Sequence, residues 1–128
     1  EPSTGTLDYV NAGHNAPLLR RADGRIEKLE AGGLPLGIRA DGPYTAGQVR
    51  MEPGDLLVCY TDGVVDARSG SGEEYGEERL HELLAGSGRI DAAAMLERLM
   101  AAVMVHTGEA PRFDDITCLV LSASEVTP

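Results

Sequence analysis

Aromatic and basic residues are scarce in this chain of 128 residues, which contains no tryptophan and one phenylalanine. The hydrophobic core must therefore be built mainly from leucine, valine, isoleucine, methionine and alanine. Lysine and arginine together number 11, against 21 aspartate and glutamate residues, which gives a net charge of −10. Because nucleic-acid binding depends on clustered positive charge, this balance argues against a nucleic-acid partner.

Long apolar runs are missing as well. No stretch approaches the ~20 apolar residues of a membrane-spanning helix, and no signal peptide is visible, so we expect no membrane segment and a cytoplasmic location. The two cysteines, Cys59 and Cys118, lie in apolar segments and match no zinc-binding spacing. We therefore expect buried, reduced thiols and no disulfide. The chain begins with Glu1 in a turn sequence, from which we expect a fragment of a longer protein.

The first half of the chain has the pattern of a β-rich domain. Of all residues, 42% are hydrophobic and 25% are charged, which is ordinary for one globular domain. Alternating apolar residues bounded by turn residues predict strands over residues 6–11, 18–22, 25–30 and 44–51. The run Leu56–Tyr60 does not alternate, which predicts a strand buried on both faces.

The second half predicts two helices and a last strand. Residues 76–85 carry an apolar face, and Gly86 follows as a C-terminal cap. Asp91 is a good N-cap for a longer helix that runs to about residue 107. We expect a flexible glycine-rich loop at residues 69–72 and a final strand over residues 113–122.

The order of these elements indicates an α+β fold, with an antiparallel sheet and two helices on one of its faces. Each predicted helix carries one histidine, His81 or His106, and both are expected to face solvent. No internal repeat or convincing domain boundary divides the chain.

Two acidic signatures lie at the ends of predicted strands. Thr61-Asp62-Gly63 follows the apolar run at residues 56–60, and Asp114-Asp115 stands near the start of the last strand. A carboxylate beside a buried strand is unfavourable unless its charge is compensated, and a metal ion is a common compensation. If the two strands are neighbours, Asp62 and Asp114 converge on one divalent cation. Taken alone, Thr61-Asp62-Gly63 is more typical of an ordinary turn, and Asp114-Asp115 fits a turn and a site alike.

Several neighbouring residues are further candidates. Gly63 allows close backbone approach, which suits a metal or phosphate neighbour. Adjacent side chains on a strand point to opposite faces, so Asp115 would face away from the site when Asp114 faces into it. Asn11 and His14 form a polar cluster in a glycine-containing turn, where they would either contact phosphate or order the loop. Neither a serine with a base partner nor a cysteine in an electropositive setting is visible, so no protein nucleophile is predicted.

Five short blocks occur in order along nearly the whole chain, at residues 9–19, 33–37, 52–68, 72–80 and 114–117. Together they resemble the metal-dependent protein serine/threonine phosphatases of the PPM type, in the bacterial SpoIIE/RsbU branch. The resemblance implies an α-β-β-α sandwich with a two-metal centre of Mn²⁺ or Mg²⁺. It also implies hydrolysis of phosphoserine or phosphothreonine on a regulatory protein, such as an anti-sigma-factor antagonist.

Matching of motifs implies particular ligands. Asp62 and Asp114 correspond to two late metal ligands of the family, with Asp115 as second choice. Such a centre activates a water molecule and needs no protein nucleophile. The family's early acidic motifs precede the block where this chain begins. The resemblance therefore implies that residues 1–122 are the C-terminal portion of the domain, that residues 123–128 are a tail, and that the chain alone has little or no activity.

Two other interpretations remain open. The second hypothesis, after the phosphatase, is a non-catalytic protein-binding module of a signalling protein, with its acidic residues kept for structure. Exposed sheet surface and strand edges would also drive self-association into a homo-oligomer.

Overall fold

The apolar run at residues 56–60 is the centre of a four-stranded antiparallel sheet in a computed structural model, which describes residues 1–111 and 114–124. The strands of the described residues are β1 (Thr6–Tyr9), β2 (Asn11–Ala12), β3 (Leu18–Arg20), β4 (Ile26–Lys28), β5 (Gly32–Gly33), β6 (Gly47–Arg50), β7 (Leu56–Tyr60) and β8 (Cys118–Ser122). The helices are α1 (Asp62–Val65), α2 (Gly76–Gly86) and α3 (Ala92–Thr107).

The main sheet has the strand order β4-β3-β7-β8. Leu18 of β3 lies opposite Val58, and Cys118 of β8 lies opposite Tyr60. Every residue of β7 except Cys59 is buried, which confirms the prediction of a strand covered on both faces. The α+β class and the antiparallel main sheet are confirmed as well.

Helices α2 and α3 cover one face of the main sheet and form the larger core with it. The buried members of this larger core are Leu18, Leu56, Val58, Tyr60, Val64, Val65, Tyr75, Leu80, Leu84, Met95, Leu99 and Val103. The apolar stripes of the two helices thus face the sheet, as their spacing predicts. Asp91 caps α3 by accepting a hydrogen bond from the Ala94 amide at 2.8 Å, and Gly108 ends it with a φ of 54°.

The opposite face of the sheet is covered in part by a ribbon of β1 and β6. A smaller core lies between the main sheet and this ribbon, and its buried members are Leu19, Leu29, Met51 and Leu57. Two leucines of the edge strand β8 remain open to solvent on this face, Leu119 at 63% and Leu121 at 51% exposure. Among the described residues, none of the helices combines the length and hydrophobicity needed to cross a bilayer.

Several predicted elements differ from the structure. The sequence predicts no helix between Tyr60 and residue 76, but residues 62–65 form a single helical turn. The last strand begins at Cys118, and residues 114–117 precede it without strand pairing; residue 113 lies outside the described residues. The short strands β2 and β5 pair in parallel, whereas only antiparallel pairing was expected.

The glycine-rich segment at residues 69–72 is a hydrogen-bonded turn. Arg68 and Glu74 form an antiparallel bridge on either side of it, and the Tyr75 amide donates to the Ala67 carbonyl at 2.7 Å. The expectation of a loop without its own structure was wrong, because these backbone bonds close a small hairpin over residues 67–75, called here the 67–75 hairpin.

The two helical histidines do not simply face solvent. His106 donates from Nε2 to the Glu73 carbonyl at 2.8 Å and lies edge-on to Tyr75, with ring centroids 5.5 Å apart. The Nε2 atom of His81 is buried and has no hydrogen-bond partner among the described residues. The expectation was wrong because α2 and α3 pack their flanks, as well as their apolar stripes, against neighbouring segments.

Candidate metal centre

The two acidic segments lie side by side at one end of the main sheet. Beyond the pair of Tyr60 and Cys118, the Thr61 amide donates to the Thr117 carbonyl at 3.1 Å. The Thr117 amide in turn donates to Thr61 Oγ1, also at 3.1 Å. The neighbouring strands required for a shared cation at Asp62 and Asp114 are therefore present.

Asp62 opens α1 and is exposed. Thr61 before it has extended backbone, and Val64 and Val65 after it are buried in the larger core. Burial of the two valines fixes the helical turn and leaves Asp62 on its outer side. Within residues 1–111 and 114–124, the Asp62 carboxylate takes part in no side-chain hydrogen bond or ion pair, so its oxygens are available to a cation.

Gly63 is the point of closest approach between the two segments. A Cβ atom at this position would lie 2.0 Å from the Asp115 carbonyl oxygen and 3.3 Å from the Ile116 Cα. The close approach predicted for Gly63 is confirmed, and the neighbour found there is protein backbone. Glycine is therefore required for residues 62–63 to pack against residues 115–116.

Asp114 and Asp115 are both exposed and precede β8. Asp114 Oδ1 accepts a hydrogen bond from the Asp115 amide at 2.8 Å. Because the two residues lie outside the strand, the alternation expected of adjacent strand side chains does not apply to them. The contact that Asp115 makes with the other segment is through its carbonyl, which faces Gly63 and Thr61.

A cavity of about 410 Å³ opens beside these segments. It is lined by Gly63, Asp66, Ala67, Arg68, Glu74, Thr107, Pro111, Asp114 and Ile116. Gly63 and Asp114 are thus brought to one cavity, whereas Asp62 is not among its described lining residues. The cavity connects the candidate ligand Asp114 to the 67–75 hairpin.

Three charged lining residues were not predicted as part of a site. Asp66, Arg68 and Glu74 flank the glycine-rich loop predicted at residues 69–72. Arg68 Nη2 lies 3.2 Å from Glu74 Oε1. Opposite charges on either side of a Ser-Gly-Ser-Gly turn are typical of a closed hairpin, and this signal was available in the sequence.

Asn11 and His14 order their own turn. Asn11 donates from Nδ2 to the His14 carbonyl at 2.9 Å and accepts from the His14 amide at 2.8 Å. Since Leu18 pairs with Val58, this turn lies at the end of the sheet where β7 finishes. It does not line the cavity described above. Loop ordering is therefore observed, and substrate contact by Asn11 or His14 stays a prediction.

Both cysteines are free in the structure and half-buried, so the thiols are less enclosed than the sequence predicts. Burial raises the pKa of Cys118 to about 11, and burial also raises the pKa of Cys59 above its ordinary value. Both thiols are therefore protonated near neutral pH, which makes them poor nucleophiles. This agrees with chemistry that uses water rather than a protein nucleophile.

The donors present fit part of a divalent-cation site. Exposed carboxylates are the ligands that Mg²⁺ and Mn²⁺ prefer, and Asp62 and Asp114 meet that requirement. Among residues 1–111 and 114–124, no group of three or more His, Cys, Asp or Glu side chains is arranged to hold a metal ion. Asp62 and Asp114 would therefore contribute to a centre that needs additional donors.

Comparison with known proteins gives a consistent family. The sequence profile of Stage II sporulation protein E (SpoIIE) matches residues 1–124. Protein IcfG of Synechocystis is 32% identical over 119 residues, which is 93% of this chain and 19% of IcfG. The phosphoserine phosphatase RsbU of Bacillus subtilis is 37% identical over 65 residues, which is 50% of this chain and 19% of RsbU.

A solved structure shows the same fold. The SiaA-PP2C domain of Pseudomonas aeruginosa superposes with a TM-score of 0.79 and 25% identity, over 93% of this chain and 47% of the SiaA chain. The chain thus spans about a fifth of the curated relatives it matches and about half of this phosphatase domain. The chain belongs to the SpoIIE family of PP2C-like phosphatase domains.

Proposed function

We propose that the protein containing this chain is a metal-dependent protein serine/threonine phosphatase. Its substrate would be a cytoplasmic phosphorylated regulatory protein, such as an anti-sigma-factor antagonist. The observation that carries the proposal is the side-by-side placement of the Asp62 and Asp114 segments beside a cavity. The match of residues 1–124 to the SpoIIE family supports it.

Each segment has a defined task in this proposal. Asp62 and Asp114 would hold Mn²⁺ or Mg²⁺, with Asp115 and the Gly63 backbone as secondary candidates. Bound metal ions of this kind supply a water of lowered pKa and stabilise negative charge on phosphate. Gly63 and the Thr61 hydrogen bonds hold the two backbone segments that carry these carboxylates side by side, and the adjoining cavity would admit the phosphoryl group.

The ligand assignment is tested by neutralising each carboxylate in the full-length protein. Asp62→Asn and Asp114→Asn should each lower Mn²⁺-dependent hydrolysis of p-nitrophenyl phosphate by more than the ~10–100-fold typical of outer-shell changes. Because both side chains are exposed, the melting temperature should change little. The matched control is Asp41→Asn, an exposed loop acid that should leave activity unchanged. Retained turnover in both variants would refute the assignment.

Two carboxylates are too few for two hexacoordinate ions, so we propose that further ligands come from a part of the full-length protein outside this chain. The 128-residue chain expressed alone should then show little or no Mn²⁺-dependent hydrolysis, measured beside the full-length protein at equal concentration. Full activity of the chain alone would contradict this half-site proposal.

One observation favours a second candidate, a non-catalytic protein-binding module. The described residues contain no three-donor metal cluster. A binding module predicts that the full-length protein neither retains Mn²⁺ in equilibrium dialysis nor hydrolyses phosphate esters. Metal retention that is lost in Asp62→Asn would decide in favour of the phosphatase.

A further inference from the structure

The cavity beside Asp114 has an unusual charge distribution. Its described lining includes the carboxylates of Asp66, Glu74 and Asp114 and a single cationic side chain, that of Arg68. The chain as a whole carries a net charge of −10. A phosphate dianion that enters this cavity meets repulsion from each carboxylate, so it requires cationic partners there.

Arg68 forms an ion pair with Glu74, and another anion can readily displace this carboxylate. Its ion pair with Glu74 spans 3.2 Å, and the two side chains are 53% and 52% exposed. Exposed pairs of this kind contribute little to stability because water screens them. A phosphate group offers the guanidinium two oxygens in the geometry that arginine binds best, with more charge than one carboxylate.

The backbone holds Arg68 at the cavity independently of that ion pair. The Ser69 amide donates to the Glu73 carbonyl at 2.9 Å, and the Tyr75 amide donates to the Ala67 carbonyl at 2.7 Å. Arg79 donates to the Glu74 and Tyr75 carbonyls at 2.9 and 3.0 Å, which secures the far side of the 67–75 hairpin. Loss of the Arg68 side chain would therefore leave the hairpin closed.

We propose that Arg68 binds the phosphoryl group of the substrate, exchanging its pair with Glu74 for phosphate oxygens. The proposal rests on the phosphatase function proposed above and assigns a substrate-binding residue to it. Glu74 then acts as a competitor that occupies Arg68 when phosphate is absent. No covalent bond is made or broken in this exchange, in which the Arg68–Glu74 ion pair is replaced by contacts between Arg68 and phosphate oxygens.

The test uses inorganic phosphate as the probe, with the full-length protein and Mn²⁺. Its dissociation constant is measured by calorimetry, and its inhibition constant is measured against p-nitrophenyl phosphate. Arg68→Gln should raise both constants by about tenfold, the loss of one charge-assisted contact. Glu74→Gln should lower both constants, because it removes the competitor and one negative charge.

The changes expected in the phosphate constants distinguish phosphate binding by Arg68 from a purely structural role of the Arg68–Glu74 pair. If the Arg68–Glu74 pair only holds the hairpin, breaking it from either side should lower the melting temperature alike and Arg68→Gln should not raise the phosphate constants about tenfold, which would overturn the proposal. Arg79→Gln is the matched control, since Arg79 makes three hydrogen bonds in the same hairpin but does not line the cavity. It should lower the melting temperature and leave the phosphate constants within about twofold.

Failure of the proposed function would look different. A wild-type protein that binds phosphate without hydrolysing p-nitrophenyl phosphate would refute catalysis, while calorimetry of the variants still decides the role of Arg68. A wild-type protein that binds no phosphate, or an Arg68→Gln variant with unchanged phosphate constants, would overturn the inference. A defect of Arg68→Gln seen only with a phosphoprotein would overturn it too, because it would place Arg68 against the polypeptide.

Discussion

Among single residues, Gly63 determines whether the two acidic segments can meet. Its missing side chain leaves room for the Asp115 carbonyl, which a Cβ atom would approach to 2.0 Å. Gly70, in the turn of the 67–75 hairpin, has no other atom within 4 Å of the same hypothetical Cβ. The two glycines lie seven residues apart, Gly63 in α1 and Gly70 in a turn, and neither has a positive φ.

Replacement of Gly63 by alanine should therefore destabilise the protein by about 1–3 kcal/mol, because rigid backbone opposes the added methyl group. The displaced segment should also lower phosphatase activity, since Asp62 moves with it. Urea unfolding and p-nitrophenyl phosphate hydrolysis measure the two effects. Gly70→Ala serves as the control and should leave both unchanged; a Gly63→Ala protein as stable as the control would contradict the packing argument.

Among the elements, helix α2 depends on a buried arginine from the sheet. Arg20 on β3 is 2% exposed, and its Nε donates to the Leu84 carbonyl at 2.8 Å while Nη2 donates to the Gly88 carbonyl. Arg98 of α3 adds a bond to the Ser87 carbonyl at 3.1 Å. The last carbonyls of a helix lack partners within it and carry partial negative charge. Arg20 supplies a partner for one of them, the Leu84 carbonyl, and the two arginines together fasten the end of α2 to β3 and α3.

We expect Arg20→Lys to lower the free energy of unfolding by about 1.5–3 kcal/mol, since lysine cannot reproduce the two-pronged donor geometry. The urea midpoint of the purified protein measures this loss. Arg25→Lys is the comparison variant: Arg25 is 73% exposed and pairs with Asp23, so its change should stay within about 0.5 kcal/mol. Equal effects in the two variants would contradict the capping role.

Elements with a strong local signal were predictable from the sequence. Asp91 and Gly108 mark the two ends of α3 by their own chemistry, a side-chain oxygen that caps amides and a backbone that tolerates positive φ. The apolar run of β7 likewise carries its own signal, because burial on both faces removes alternation. The candidate centre depends on two neighbouring strands. The sequence analysis had to assume that these strands are neighbours before Asp62 and Asp114 could be placed together, because no local pattern predicts the pairing.

Elements shaped by distant contacts were not predictable. The turn at residues 62–65 is too short to show a period, and it is helical because Val64 and Val65 reach the core. The parallel pair β2 and β5 involves two residues on each strand, held by the close approach of Gly32 to Asn11. Arg68 and Glu74 line the cavity because the fold places the 67–75 hairpin beside the end of α3 and the segment that precedes β8. No local sequence pattern contains this arrangement.

At the scale of the whole molecule, one side of the sheet is incompletely covered. Leu119 and Leu121 of β8 expose more than half of their surface on the face that the β1–β6 ribbon covers only in part. Strand β8 is also an edge, with one row of backbone groups not paired within the described sheet. Exposed apolar side chains on an open edge favour association with another chain.

The 128-residue chain should therefore form dimers or larger species as its concentration rises, as followed by multi-angle light scattering. The double variant Leu119→Thr with Leu121→Thr keeps strand propensity, removes apolar surface and should shift the population toward monomer. Met104→Thr with Val105→Thr, which changes exposed residues on α3, is the matched control and should leave the population unchanged. A wild-type chain that stays monomeric at every concentration would contradict this prediction.

The pairing of β7 sets an order of events for a chain emerging from the ribosome. Strand β3 precedes β7, so one neighbour of β7 is already available when β7 is made. The other neighbour, β8, is translated only after all three helices. A nascent chain that has completed α3 still lacks Asp114 and one wall of the cavity. Within this chain, the cavity that contains Arg68 is thus completed only when residues 114–117 and β8 have been made, and a premature stop just before them would remove Asp114 while leaving most of the helical core.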